Sequence, residues 1–248
     1  MPRIYVPDVE GNKISITSDK ARYLTTVLRC KSGDDLQILD GTGYCYRTVI
    51  AKADKKEVVA EVLEKFPFDL ESPVNIVLVQ SLLKGEKMDM VVQKATELGV
   101  KDIVPVITER SQLRETRKTG RWQKIAAEAS RQSGRTLVPL VKEPAEFLSF
   151  IETVGRPGPE TPEQREPGGF IFYEEEGERL SQAVLTTCSQ SSSLLLVVGP
   201  EGGFTKPEVE AAREIGLRVV SLGKRILRAE TAAIAAVALV QHLLGDLG

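Results

Sequence analysis

Two apolar runs near the end of this 248-residue chain each stop at a glycine-bearing turn, and that pairing restricts the fold more than any other feature. Leu194-Leu195-Leu196-Val197-Val198 leads straight into Gly199-Pro200-Glu201-Gly202-Gly203. Arg218-Val219-Val220-Ser221 leads into Leu222-Gly223-Lys224-Arg225-Ile226-Leu227-Arg228-Ala229-Glu230-Thr231-Ala232. Short Leu- and Val-rich runs without polar alternation suit strands buried on both faces, as in a parallel sheet. Each turn then lies at the carboxyl end of its strand, where open α/β sheets bind their ligands. Glycine there lets the backbone approach a ligand closely and take φ > 0 without strain. The first turn exits into Thr205-Lys206-Pro207-Glu208, a capping-box pattern with proline early in the helix. Gly216 then closes that helix.

The alternation extends upstream. Residues 74–82, 103–108 and 170–173 read as strands, and 87–98, 117–133 and 180–187 as helices, which predicts a parallel sheet covered on both faces. Before residue 66 the pattern differs. Five short strands are expected at 3–6, 13–17, 35–39, 44–51 and 58–63, with turn signals at Gly11-Asn12 and Asp40-Gly41. One helix at 19–29, capped by Ser18, interrupts them. Strands of this kind suggest a small barrel. The segment 66–73 carries Pro67 and Pro73 and loses periodicity, so it reads as a linker between domains at 1–70 and 74–248. Residues 155–169, rich in Pro, Gly and Glu, predict a surface loop with no assigned role.

Composition removes several chemistries. Cys30, Cys45 and Cys188 are far apart with no CxxC pair, against a zinc site or disulfide framework and in keeping with a reducing, cytoplasmic setting. The single histidine, His242, lies in an apolar C-terminal helix, where a surface or interface role is expected, so a histidine-based triad is excluded. No phosphate-loop or dinucleotide fingerprint occurs, and no stretch is long and apolar enough for a membrane span. Net charge is −2, yet Arg110, Arg114, Arg117, Lys118, Arg121, Lys124, Arg131 and Arg135 crowd one segment against Glu115 and Glu128. Arg117, Arg121, Lys124, Glu128, Arg131 and Arg135 recur at three- and four-residue steps and line one helix face, with Trp122, Ile125 and Ala129 on another. A solvated face is the common explanation; the shortage of acidic partners favours phosphate contact. The last helix, apolar nearly all round from Thr231 to Val240, is deep core or a subunit interface.

Read together, the two turns resemble the RsmE family, the 16S ribosomal RNA uridine-N3 methyltransferases of the SPOUT class. The resemblance also covers Arg3-Ile4-Tyr5, Val27-Leu28-Arg29 with Gly33-Asp34, and Lys84-Gly85-Glu86-Lys87-Met88. It continues through Gln93-Lys94-Ala95-Thr96-Glu97-Leu98-Gly99, Glu109-Arg110-Ser111, and Trp122 to Arg135. It implies an α/β fold: a SPOUT-type knotted parallel-sheet methyltransferase domain after a small PUA-like β-barrel that helps bind RNA. Periodicity itself predicts no knot. Many relatives carry a histidine where this chain has Arg22-Tyr23, which leaves that RNA contact without a carrier here.

The resemblance further implies S-adenosylmethionine as cofactor, small-subunit ribosomal RNA as partner, a homodimer through the last helix, and no metal. The implied cofactor contacts are Phe172, Tyr173 and Glu174 on a first loop and Gly199, Pro200, Glu201 and Gly203 on a second. A third supplies Leu222, Gly223, Ile226, Leu227, Arg228, Thr231 and Ala232. Ile226 and Leu227 also read as plain core. RNA contacts are expected from Arg3, Arg22, Arg29, Lys84, Arg110, Arg121, Lys124, Arg131 and Arg135, with Lys84, Lys87 and Arg110 on the same side as the cofactor turns.

Uracil N3 carries a proton at neutral pH, so a carboxylate to take it and an arginine to stabilise the anion are sought among Glu174, Glu201, Glu230, Arg225 and Arg228. Arg228, Glu201 and Glu230 are the catalytic candidates. A buried Glu–Arg pair is equally a structural device. Glu230 opens a helix, where a carboxylate also complements the dipole. Two other functions compete: a non-catalytic RNA-binding ribosome-assembly protein, and a SPOUT methyltransferase for another RNA. The intact glycine turns speak against the first and the near end-to-end resemblance against the second.

Overall fold

The structure is a computed structural model that describes residues 1–7, 9–68, 70–155, 168–187 and 193–248. Most of the predicted 155–169 loop lies outside the described residues. The chain forms two compact units. Residues 1–71 and 130–138 make the first, and residues 72–129 and 139–248 the second.

The first unit is built on five strands, β1 (Arg3–Tyr5), β2 (Lys13–Thr17), β3 (Asp35–Leu39), β4 (Tyr44–Ala53) and β5 (Glu57–Pro67). They run in the order β1-β3-β4-β5-β2. Only β1 and β3 pair in parallel; the other ladders are antiparallel. Alternate residues Ile14, Ile16, Leu36, Ile38, Val58 and Ala60 face inward, as period-two patterning requires.

The helix expected at 19–29 is divided. Helix α1 (Ser18–Arg22) passes into a π-helical turn, Tyr23–Val27. Thr17, not Ser18, holds the N-cap position, and Ser18 itself has φ 60. The β-branched run Thr25-Thr26-Val27 is poorly suited to a continuing α-helix. The Thr25 hydroxyl also donates to the Ala21 carbonyl at 2.8 Å, a back-bond that bends helices.

Residues 130–138 join this first unit through Glu71. Its carboxylate accepts both Nε of Arg135 at 3.0 Å and that guanidinium's terminal nitrogen. It also accepts the Thr136 amide at 3.0 Å, the Thr136 hydroxyl at 3.1 Å and the Leu137 amide at 3.0 Å.

The second unit contains β6 (Ile76–Ser81), α2 (Lys87–Glu97), β7 (Asp102–Ile107), α3 (Thr119–Ser133), β8 (Leu140–Val141) and β9 (Ala145–Glu146). It continues through α4 (Phe147–Gly155), β10 (Gly168–Phe172), β11 (Glu178–Arg179) and α5 (Leu180–Thr187). It closes with β12 (Leu194–Val198), α6 (Lys206–Glu214), β13 (Arg218–Ser221) and α7 (Ala229–Leu244). The residues of α3 from Ser130 onward belong to the first unit. Elements β8, β9, α4 and β11 had no sequence expectation; three of them are two-residue strands that carry no period to read.

The sheet order is β11-β13-β10-β12-β6-β7-β8, with β9 also on β7, and every described pairing is parallel. Val79, Val104, Ile171, Val197 and Val219 on one face pack with Phe147 and Ile151 of α4 and Val209 and Ala212 of α6. Helices α2 and α7 pack together, and α7 lies on β6 and β12. This order sets the carboxyl ends of β10, β12 and β13 close together. None of the helices among the described residues is long and apolar enough to cross a membrane.

Candidate functional site

The turns that follow β10, β12 and β13 enclose one cavity of about 380 Å³. Phe172, Tyr173 and Glu174 line it from the first turn, and Gly199, Pro200, Glu201 and Gly203 from the second. Leu222, Gly223, Ile226, Leu227 and Arg228 come from the third, followed by Ala232 on α7. Thr231, expected with them, is an exposed residue of α7 outside the lining. Lys87 and Arg225 also reach the wall. The volume falls in the range of sites that hold small organic ligands, and the wall mixes apolar residues, glycines and charged residues. At Gly223, φ is +116 and an added Cβ would meet nothing, so the backbone there opens onto free space. At Gly203, φ is +69 and an added Cβ would strike the Glu174 carboxylate, so any side chain is doubly excluded. Ile226 is 87% exposed, which removes the plain-core reading of that residue.

The second turn is held from several sides. Buried Phe204 anchors its exit, with its ring centroid 5.3 Å from that of Phe147. Burial of such a ring stabilises by about 1.5–3 kcal/mol. The Thr205 amide donates to the Glu208 carboxylate at 2.8 Å, forming the expected capping box. The same glutamate accepts the Glu109 amide at 2.8 Å. Arg110 donates to the Gly202 carbonyl at 3.1 Å and the Phe204 carbonyl at 3.3 Å. Beneath the turn, fully buried Gln80 donates to the Gly199 carbonyl at 3.3 Å.

The charged groups differ in what they can do. Glu201 accepts Lys87 Nζ at 2.8 Å and the Lys84 amide at 3.4 Å. Burial pushes the Glu201 carboxyl up, but those hydrogen bonds outweigh it and hold the group below its ordinary value. Glu201 is therefore an anion already satisfied by its neighbours and a weak proton acceptor. Glu230 is buried in the first turn of α7, off the cavity lining, with Oε2 lacking a hydrogen-bond partner. Arg228 occupies the N-cap position of α7 and is exposed on the cavity wall. Among the described residues its side chain has no hydrogen-bond or ion-pair partner, so it does not neutralise Glu201 or Glu230. The Tyr173 phenol is pushed up to about 12 by burial and by its hydrogen bond with Glu175, so it stays protonated at neutral pH. No group of three or more His, Cys, Asp or Glu side chains among the described residues is arranged to hold a metal ion.

The cations expected to meet RNA fall into different settings. Arg3 lies 4.9 Å from the Phe68 ring centroid and donates to Gln37, and Arg22 and Arg29 are exposed. Lys84, Lys124 and Arg131 are exposed as well. Arg121 pairs with Asp89 at 2.7 Å, and Asp89 also accepts Trp122 Nε1 at 3.0 Å. Arg110 grips the second turn. Arg135 is 7% exposed and turned onto Glu71, so its guanidinium does not face solvent. That corrects its place among the RNA contacts: a buried arginine with its donors engaged has none left for phosphate. The sequence reading missed the clamping role of Arg110 and Gln80, because their partners are more than ninety positions away.

Comparison with known proteins gives the following. Residues 70–241 match a family model described as RNA methyltransferase domain, and residues 16–63 one described as RNA methyltransferase PUA domain. The chain is 34% identical over 253 residues to ribosomal RNA small subunit methyltransferase E of Buchnera aphidicola subsp. Acyrthosiphon pisum. That alignment covers 99% of this chain and 95% of that protein. It is 35% identical over 232 residues to the protein of the same name in Synechocystis, covering 93% of this chain and 73% of that one. Among solved structures it is similar to ribosomal RNA small subunit methyltransferase E from Neisseria gonorrhoeae bound to S-adenosyl methionine. There the TM-score is 0.82 at 35% identity, with 100% of both chains covered. A Legionella pneumophila methyltransferase, described as putative and holding bound S-adenosylmethionine, gives a TM-score of 0.79 at 31% identity, with 99% and 98% covered.

Proposed function

This chain belongs to the family of ribosomal RNA small subunit methyltransferase E, and on that premise we propose that it methylates N3 of a uridine in small-subunit ribosomal RNA, using S-adenosylmethionine. The observation that carries the reading is the meeting of three strand-end turns around one cavity that presents an unpaired guanidinium. The cavity's size, its open space over Gly223 and the glycines of its wall suit the cofactor. Residues of the three turns, from Phe172 to Glu174, Gly199 to Gly203 and Leu222 to Arg228, would hold it. When bound, it supplies a methyl group already activated on a sulfonium.

The protein's remaining tasks are alignment and charge. Alignment of donor and acceptor removes much of the entropic barrier, and a second turn fixed by Arg110, Gln80 and Phe204 is suited to it. Loss of the N3 proton leaves negative charge on uracil O2 and O4. Arg228 offers a planar fork of donors for that charge, unencumbered by a carboxylate. With the anion stabilised this way, the site needs no strong base, and the N3 proton passes to water. Glu201 serves the turn's structure more than proton transfer, since Lys87 holds it ionised. N3 lies on the Watson–Crick edge, so the target uridine is unpaired or is unstacked on binding. The exposed cations Arg3, Arg22, Arg29, Lys84, Lys124 and Arg131 supply phosphate contacts.

Incubation of the purified protein with S-adenosylmethionine and either small ribosomal subunits or free ribosomal RNA should yield 3-methyluridine. Nucleoside mass spectrometry checks it, and unmethylated RNA from both substrates would remove the assignment. We further infer a C₂ homodimer in the cytoplasm, built on α7 and the residues after it. Leu239, Leu243 and Leu247 are 42%, 41% and 40% exposed there, beside an otherwise apolar helix. Light scattering at micromolar concentration should return twice the chain mass; a monomer would exclude that contact.

A further inference from the structure

We propose that Lys87 is a positioning residue for this cavity: it latches the Glu201 carboxylate, and through it fixes the Gly199–Gly203 turn. Lys87 begins α2, on a segment separate from all three turns, yet it reaches the cavity wall. Its Nζ lies 2.8 Å from Glu201 Oε1, and the Lys84 amide, three residues before it, donates to the same oxygen at 3.4 Å. The start of α2 thus holds the outer edge of the turn by one strong bond and one weak one. Arg110 holds the far edge through the Gly202 and Phe204 carbonyls, and Gln80 the inner edge. Of these three holds, that of Lys87 alone depends on a titratable partner. The Glu201 side chain is 22% exposed and that of Lys87 37%, so solvent screens the pair only in part.

The charges around the pair make the lysine necessary. Glu230 faces it from the start of α7, with its own carboxylate oxygen Oε2 unsatisfied. Glu174 lies against Gly203 on the cavity side. Arg228 stands within electrostatic reach of Lys87 from the N-cap of α7, and Arg110 across the turn is engaged with carbonyls. Without Lys87, Glu201 keeps its own backbone amide and the long bond from the Lys84 amide. Its hydrogen-bond partner at 2.8 Å is the main influence lowering its pKa against burial, so removal of the lysine raises that value. Above the raised pKa the ionised Glu201 still accepts those amides, and this weaker hold on the turn is lost as pH falls through that pKa. In the wild type the lowered pKa keeps Glu201 ionised, and the latch closed, to lower pH.

The inference uses the reading above only in taking S-adenosylmethionine as the cavity's ligand, and the test separates the two. Affinity is measured by calorimetry between pH 8 and pH 5.5 for wild type, Lys87→Arg, Lys87→Met, Glu201→Gln and the last two combined. Wild-type affinity should be flat. That of Lys87→Met should fall towards low pH, by up to about tenfold for each unit below the raised pKa. Lys87→Arg should restore the flat profile. In the double variant the pH dependence should vanish, because glutamine does not titrate, and the two losses should not add. The ligand-free proteins give a second readout through hydrogen exchange at the Gly203 amide, which donates to the Pro200 carbonyl inside the turn at 3.0 Å. Exchange should be about tenfold faster or more in Lys87→Met and restored in Lys87→Arg. Unchanged exchange, or a pH-independent and additive loss of affinity, overturns the latch. If wild type binds no S-adenosylmethionine, the cofactor assignment fails, while the exchange data still decide the role of Lys87.

Discussion

Arg228→Lys is expected to lower single-turnover methyl transfer by roughly 10²-fold or more at saturating cofactor and RNA, as for loss of an oxyanion-hole donor. An arginine at the N-cap position of a helix opposes the dipole, so its presence there needs a reason beyond folding. Pairing would be such a reason, but Glu201 is bonded to Lys87 and Glu230 leaves an oxygen unsatisfied rather than use it. The guanidinium is instead exposed on the cavity wall, with its donors unspent on described residues. Lysine keeps the charge and loses the planar fork, so it separates simple charge from directed hydrogen bonding. Because the side chain packs against little, stability should stay within about 0.5 kcal/mol of wild type. RNA affinity should also hardly change, since the exposed cations elsewhere remain. A rate near that of the wild type would strike Arg228 from the reacting groups.

Glu71→Ala should produce a large loss of stability in the first unit. The carboxylate gathers the Arg135 guanidinium, the Thr136 amide and hydroxyl, and the Leu137 amide. Alanine removes the carboxylate to which a guanidinium only 7% exposed and the buried Thr136 amide and hydroxyl donate. Breaking a buried pair from one side costs about 3–5 kcal/mol, a fall of roughly 10 °C or more in the melting midpoint. Arg135→Met should cost less, because it removes the charge along with its partner's duty and keeps the apolar stem. Thermal denaturation of the two variants reads the difference. Equal, small losses would mean that the cluster contributes little to folding.

The legible and illegible parts of this chain divide by the distance between cause and effect. Strand β12 and its turn could be read from five apolar residues followed by glycine, because a buried parallel strand and a tight turn leave local marks. The capping box at Thr205 and Glu208 is local in the same sense. Arg110, Arg121 and Arg135 were grouped as one basic surface for the same local reason, closeness in sequence. Their partners are Gly202 and Phe204, Asp89, and Glu71, each a long way off in the chain. Charge counted along a segment cannot register a carboxylate that folding brings in from elsewhere. The short strands β8, β9 and β11 escaped for another reason, since two residues define no period. The π-helical turn after α1 required the Thr25 back-bond to be seen, although its β-branched run is present in the sequence.

The strand order also sets a timetable for synthesis. Strand β12 separates β6 from β10 in the sheet, and Gln80 at the end of β6 meets the Val198 and Gly199 carbonyls only across 118 and 119 positions of chain. While the polypeptide is being made, β6 and β7 can pair, but the edge that β12 will occupy has no partner for more than a hundred residues. Contacts closed over such separations form slowly. The exposed edge of a nascent β6 is meanwhile a surface for misassociation. The cavity cannot exist in any growing intermediate that lacks the turn after β13, so a chain still attached to the ribosome that made it cannot act on ribosomal RNA until residues 222–232 have emerged.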